Sequence, residues 1–149
     1  MRELLLAIES EIESSLAYIR DEDVFISPHA TWLPESVQHP CLAIKDGAIE
    51  RTELTGGMWQ ETMTVILTVY VSFTGDGRVP VVGDVSVKGV LEIAEDVHEA
   101  LDENLLSLTG MTSAFSPSEK GAEVVWDGRG GGMEKKEITY QYVREVDRP

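Results

Sequence analysis

"MWQETMTVILTVYVSF", Met58 to Phe73, alternates between apolar and polar side chains along most of its length. The apolar side chains at alternate positions, here called the apolar parity, are those of Trp59, Met63, Val65, Leu67, Val69, Val71 and Phe73. Period-two alternation with many β-branched residues predicts a long strand with one buried face and one wetter face. Glu61 interrupts the apolar parity, so we expect that end of the strand to reach solvent. Ile66 and Tyr70 lie on the wetter face, where we expect a helix or another subunit to cover them.

Several other segments predict strands. "MEKKEITYQYVRE", residues 133–145, alternates in the same way, with Ile138, Tyr140 and Tyr142 on one side. Val24–Ile26, residues 122–126 and a weaker stretch within residues 107–121 predict shorter strands. "CLAIKDGAIERTEL", residues 41–54, predicts two short strands joined by a turn at Asp46-Gly47.

Two segments predict amphipathic helices. Residues 2–20 carry apolar side chains at steps of three and four, namely Leu5, Ile8, Ile12, Leu16 and Ile19. A second helix is predicted to begin near Asp84 as its N-cap, with the stripe Val87, Val90, Leu91, Ala94, Val97 and Leu101. Consecutive strands without crossover helices indicate antiparallel pairing. We therefore predict an α+β fold, a single two-layer domain over residues 1–149 with about four to six strands packed against two helices.

The chain of 149 residues is strongly acidic, with 27 acidic and 12 basic residues and a formal charge of −15. This disfavours tight binding to duplex DNA, which needs a basic surface. An acidic wall nevertheless lets a DNA strand pass without sticking, and solubility alone explains the same charge. No apolar run approaches the roughly 20 residues that span a bilayer, and glutamates interrupt the apolar N-terminal patch. We predict no membrane span, no secretory signal and a cytoplasmic location.

The glycine cluster within residues 127–132 raises the question of a phosphate-binding loop. Such a loop needs a lysine followed by Ser or Thr and then a helix, whereas Met133, Glu134 and Lys135 precede a predicted strand. We predict a hairpin connection with Arg129 near its tip, mobile in the free protein and ordered on assembly.

Candidate catalytic and metal-binding residues are few. His29, His39 and His98 match no standard zinc spacing, and His98 is predicted to be a satisfied histidine at the edge of a helix. Cys41, the single cysteine, is predicted to be buried. No nucleophile motif of the G-x-S-x-G type occurs. We predict no catalytic residue, no cofactor and no metal, and therefore no enzyme. Trp32, in a proline-rich segment, is either an interface anchor or a lid on the core.

The arrangement resembles the tail terminator, or tail completion, proteins of long-tailed bacteriophages and related minor tail proteins. The features that carry the resemblance are the N-terminal helix through Ile19, the segment Pro40-Cys41-Leu42-Ala43-Ile44, the Thr62–Phe73 strand, the Val87–Leu101 helix and the strand "EITYQYVRE". The resemblance implies a hexameric ring that caps the tail tube, stops its polymerisation and joins it to the head. It implies no catalytic residues.

The partners that the resemblance implies are further copies of the chain, the tail tube protein and the head–tail connector or neck proteins. DNA would pass through without specific binding, and the protein would end in the virion tail or neck after assembly in the host cytoplasm. We predict subunit or partner contacts at Trp32, Ile66, Tyr70 and Arg129. Two alternatives stay open: a head-completion or neck adaptor protein, and a small-molecule-binding α+β module that works as a dimer.

Overall fold

The computed structural model describes residues 1–29, 32–73, 77–126 and 131–147. The helices are α1 (Arg2–Ser15), the short α2 (Arg78–Val82) and α3 (Val90–Leu101). The strands are β1 (Val24–Ile26), β2 (Cys41–Glu53), β3 (Met58–Ser72), β4 (Met111–Glu119), β5 (Glu123–Trp126) and β6 (Gly132–Asp147).

The six strands form one sheet in the order β1-β2-β3-β6-β4, and β5 pairs with the N-terminal part of β6. Only β1 and β2 run parallel, and every other pair is antiparallel. The central pair is β3 with β6, which stay in register from Met58 opposite Asp147 to Ser72 opposite Met133. The predicted α+β fold with a mostly antiparallel sheet is confirmed.

The main core lies between one face of this sheet and the helices α1 and α3. The apolar parity of β3 supplies Met63, Val65, Leu67, Val69 and Val71, and β6 supplies Ile138, Tyr140 and Tyr142. The two helices close the core with Leu4, Ile8, Ile12, Val90, Ile93, Ala94, Val97 and Leu101. The apolar face of the strands and the apolar faces of the two helices therefore pack against each other, as the sequence pattern predicted.

Both predicted helix boundaries were partly wrong. Helix α1 ends at Ser15, although Leu16 and Ile19 beyond it are still buried. Asp84 does not begin a helix, because its carboxylate accepts hydrogen bonds from the backbone N–H groups of Ser86 and Val87, both at 2.8 Å. These bonds close a local turn, and α3 begins at Val90.

The predicted turn at Asp46-Gly47 was also wrong. β2 continues through it with a register shift between Asp46 and Ile49 against β3. A Cβ atom at Gly47 would lie 2.9 Å from the carbonyl oxygen of Thr64, so glycine permits the close approach of the two strands at this bulge. The chain reverses instead at Gly56 and Gly57, whose positive φ angles of 80° and 79° suit glycine.

The sequence predicted that Glu61 would reach solvent, and this prediction was wrong. Glu61 is 6% exposed and lies on the helix-facing side of β3. Its carboxylate accepts a hydrogen bond from Arg51 Nε at 3.0 Å and another from Arg144 Nη2 at 3.2 Å. The two strands beside β3 thus each supply a cation, which allows the charged Glu61 to lie on the buried face of β3.

Candidate interaction surfaces

One face of the sheet is largely uncovered by the described helices, since α1 and α3 both pack against the other face. Ile66 lies on it, half-buried, between Lys45 of β2 and Thr139 of β6. Phe115 of β4, opposite Gln141, is 44% exposed on the same face. This face combines threonines with exposed or half-exposed apolar groups and therefore suits a protein contact.

A small second cluster covers one end of that face. It contains Phe25, Cys41, Ala43, Tyr70 and Met133, with Leu33, Val37 and Val125 packed against it. Tyr70 is only 3% exposed, and its cover comes from this chain's own residues. Burial, together with the nearby Cys41 and Glu137, raises the pKa of Tyr70 to about 12. In this conformation the Tyr70 side chain is closed off from a partner subunit.

The other predicted contact residues differ in their placement. Trp32 is 36% exposed and packs edge-on against Phe25, with the ring centroids 5.7 Å apart. It thus acts as a lid on the small cluster and still presents part of its surface. Ile66 keeps its predicted face. Arg129 and most of the glycine-rich connection lie outside the described residues, so their prediction stays a prediction.

Residues 82–89, here called the valine loop, run from the last residue of α2 to the residue before α3, and the sequence pattern assigned those from Asp84 onward to a helix. Val82, Val85 and Val87 are 41%, 106% and 51% exposed. The loop is held closely at its base, because a Cβ atom at Gly89 would lie 2.5 Å from the carbonyl oxygen of Val81. The alternation Asp-Val-Ser-Val between Gly83 and Gly89 was the available signal for a loop rather than a helical turn.

Two recesses meet beside the valine loop. The first, of about 700 Å³, lies between the loop and the end of β3 and is lined by Val71, Val79, Pro80, Val85 and Val87 among others. The second, of about 690 Å³, lies between α1 and α3 and is lined by the carboxylates of Glu11, Asp96, Glu99, Asp102 and Glu103. Tyr18 and Lys88 line both recesses, so an apolar surface and an acidic one are contiguous.

The junction between the recesses is organised by Asp96. Its carboxylate accepts hydrogen bonds from Lys88 Nζ at 2.6 Å and from the Tyr18 hydroxyl at 2.5 Å. Lys88 Nζ also lies 4.5 Å from the centroid of the Tyr18 ring. Burial pushes the pKa of Asp96 upward, but the bonds from Lys88 and Tyr18 outweigh burial and leave that pKa lowered. Lys88 is therefore held in place by the protein's own groups.

His98 joins helix α3 to the sheet. Its Nε2 lies 2.7 Å from Glu119 of β4, and its Nδ1 lies 3.1 Å from Asp102. The Tyr140 hydroxyl donates to the same Asp102 carboxylate at 2.6 Å. Burial lowers the pKa of His98, but the bonds to Glu119 and Asp102 prevail and the pKa is raised. The predicted satisfied edge histidine is confirmed.

Cys41 is buried as predicted, and burial beside Asp23 raises the pKa of its thiol to about 12, which disfavours a thiolate nucleophile. Within residues 1–29, 32–73, 77–126 and 131–147, no group of three or more His, Cys, Asp or Glu side chains is placed to hold a metal ion. Nor does any helix in these ranges have the length and apolar character needed to cross a membrane.

Comparison with known proteins gives a likeness among solved structures. No protein-family model matches the chain, and no curated protein matches it. Among solved structures, the chain is similar to a chain described as "Virion of native gene transfer agent (GTA) particle". The two are 14% identical, the TM-score is 0.63, and the match covers 96% of this chain and 95% of the other. At this identity the likeness shows a shared fold over almost the full length of both chains.

Proposed function

We propose that this protein is a structural subunit of a phage-like virion and that it acts as a tail terminator. In this role, copies of the chain form a ring that caps the tail tube, stops its polymerisation and joins it to the head. The observation that supports the proposal most is the end-to-end fold match with a chain of a gene transfer agent virion. The sequence resemblance to tail terminators supports the finer assignment.

The surfaces of the subunit agree with a role in assembly rather than catalysis. The uncovered sheet face, with Ile66 half-buried and Phe115 44% exposed, supplies contact area for a neighbouring copy. The formal charge of −15 gives a ring whose inner wall repels DNA phosphates and lets DNA pass. The recesses described above are open grooves on the surface, which also suits contacts between proteins.

The test is assembly with the tail tube protein of the same particle. The purified chain is mixed with tube protein during polymerisation, and tube lengths and ends are recorded by electron microscopy. We expect added protein to stop tube growth and to appear as a ring at the tube end. A chain that neither joins the tube nor alters its length, and that sediments as a strict monomer in both conditions, contradicts the proposal.

Ile66→Asp tests the uncovered face directly. The side chain is half-buried on a face free of the described helices, so the aspartate should leave the subunit folded, which circular dichroism checks. We expect the variant to lose ring formation because a new charge then lies in the subunit contact. Val124→Asp, on β5 and 42% exposed, is the matched control and should still assemble.

A neck adaptor is the second candidate, because it shares the role of joining head and tail. The same preparations separate the two roles. A terminator binds the free end of the tube, whereas an adaptor binds purified head–tail connector and leaves tube length unchanged.

A further inference from the structure

We propose that the valine loop and its two contiguous recesses bind a segment of a partner protein that carries apolar side chains together with Lys or Arg. The loop supplies the apolar half of this surface, and the acidic recess between α1 and α3 supplies the other half. The proposal concerns a different surface from the uncovered sheet face, and it stands whether or not the chain forms a ring.

The apolar half consists of side chains that the fold leaves in water. Val85 is fully exposed at the tip of the loop, and Val82 and Val87 are 41% and 51% exposed on either side of it. Beside them the recess of about 700 Å³ adds Val79 and Pro80. A contiguous exposed apolar patch of this kind marks an interaction site more often than an isolated surface valine does.

The loop is also pre-organised. Asp84 Oδ1 accepts hydrogen bonds from the backbone N–H groups of Ser86 and Val87, and the Asp84 N–H donates to the Val87 carbonyl at 2.8 Å. Gly89 packs so closely against Val81 that no larger side chain fits. A partner therefore meets a loop that is already shaped, and little conformational entropy is lost when it binds.

The acidic half determines the charge of the occupant. Five carboxylates line the second recess, and its one cation, Lys88, is already paired with Asp96 at 2.6 Å. Glu99 and Glu103 accept no side-chain hydrogen bond among the contacts of the described residues, which leaves their charge available. A segment whose Lys or Arg side chains lie over this recess gains favourable electrostatic interaction along its length.

The same charges disfavour a second copy of this chain as the occupant. Each copy carries a formal charge of −15, so two copies repel each other wherever acidic surfaces approach. A basic partner avoids this repulsion. The apolar loop alone would accept many occupants, and the adjoining carboxylates select the basic one.

The experiment uses the full chain labelled with ¹⁵N and three short synthetic peptides of equal length. The first is an amphipathic peptide of leucine and lysine, the second replaces its lysines by glutamates, and the third replaces its leucines by serines. Backbone amide shifts report both affinity and the location of binding. We expect the leucine–lysine peptide to shift amides of residues 82–88 and of Glu99 and Glu103.

Variants then assign the two halves. Val85→Ser combined with Val87→Ser should weaken the leucine–lysine peptide about tenfold, because two exposed apolar contacts are lost. Val124→Ser is the matched control on β5 and should leave the affinity unchanged. Glu99→Gln with Glu103→Gln should weaken binding and reduce its dependence on salt, because both remove charge from the acidic recess.

The outcomes separate the proposal from its rivals. Equal binding of the leucine–glutamate peptide overturns the charge selection, and equal binding of the serine–lysine peptide overturns the role of the valine loop. Sedimentation of the chain alone tests whether a second copy of the chain is the occupant. Self-association that Val85→Ser abolishes would identify a second copy as the occupant and overturn the proposal. An absence of shifts in residues 82–88 at saturating leucine–lysine peptide also overturns it.

Discussion

Replacing Glu61 by leucine should destabilise the protein by about 3 kcal/mol, at the lower end of the cost of breaking a buried ion pair. The side chain of Glu61 is 8% exposed and that of Arg144 is 21% exposed, so the substitution leaves Arg144 largely buried. The other carboxylate near Arg144 belongs to Glu3, whose Oε2 lies 4.0 Å from Arg144 Nη1 and whose side chain is 72% exposed. Arg51 is 50% exposed and can turn to water, which keeps the expected cost at the lower end.

The double variant Glu61→Leu with Arg144→Met tests the cause. Removing both charges leaves apolar groups of similar volume, so stability should return to within about 1 kcal/mol of the original protein. Urea unfolding followed by circular dichroism at pH 7 and 25 °C measures the original protein, the single variants Glu61→Leu and Arg144→Met and the double variant, and the coupling between the two sites should be at least about 2 kcal/mol. Glu50→Leu, an exposed glutamate on the neighbouring strand β2, is the control and should change stability by less than about 0.5 kcal/mol. Additive effects of the two substitutions would refute the reasoning.

Three further predictions address the histidine, the valine loop and the core. The pKa of His98 is raised from 6.5 in the folded state, so its contribution to stability is full below that value and is lost as pH rises through the folded pKa. His98→Gln should therefore flatten the fall in unfolding free energy between about pH 6 and pH 8, measured by urea titration at each pH. Gly89→Ala should cost about 2–3 kcal/mol in urea unfolding because its Cβ would meet the Val81 carbonyl, whereas Gly121→Ala, in open space, should be nearly neutral. Ile8→Ala should cost about 2–5 kcal/mol in the same assay, since the side chain is 0% exposed between α1 and the sheet, and a loss below 1 kcal/mol would contradict this placement.

The centre of the fold was predictable because its periodicities are long and uninterrupted. The alternation from Met63 to Val71 and from Ile138 to Tyr142 fixes which side of β3 and β6 is buried. Period-two patterns of this length leave a single choice of face, since a shift by one residue would expose every apolar side chain. The buried Cys41 and the paired His98 followed from the same local patterns.

Two features that the sequence did not reveal depend on contacts between residues far apart in the sequence. Glu61 is buried because Arg51 and Arg144 reach it from two other strands. Tyr70 is covered because Leu33 and Val37 fold back over the end of the sheet. The valine loop was assigned to a helix because Val87 fits the spacing of the stripe, and only the hydrogen bonds to Asp84 show that the helix has not yet begun.

The pairing of β3 with β6 has a consequence for how the protein folds. Residues 58–72 bond along one edge to β2, which immediately precedes them, but along the other edge to residues 133–147. The hairpin of β2 and β3 can form early, because its strands are joined by a short turn. The other edge of β3 nevertheless stays unpaired until β6 is present, and pairings between segments so far apart in the sequence form slowly. Until β6 has been synthesised, the nascent chain carries a long, half-paired strand whose unbonded edge is open to association with other chains.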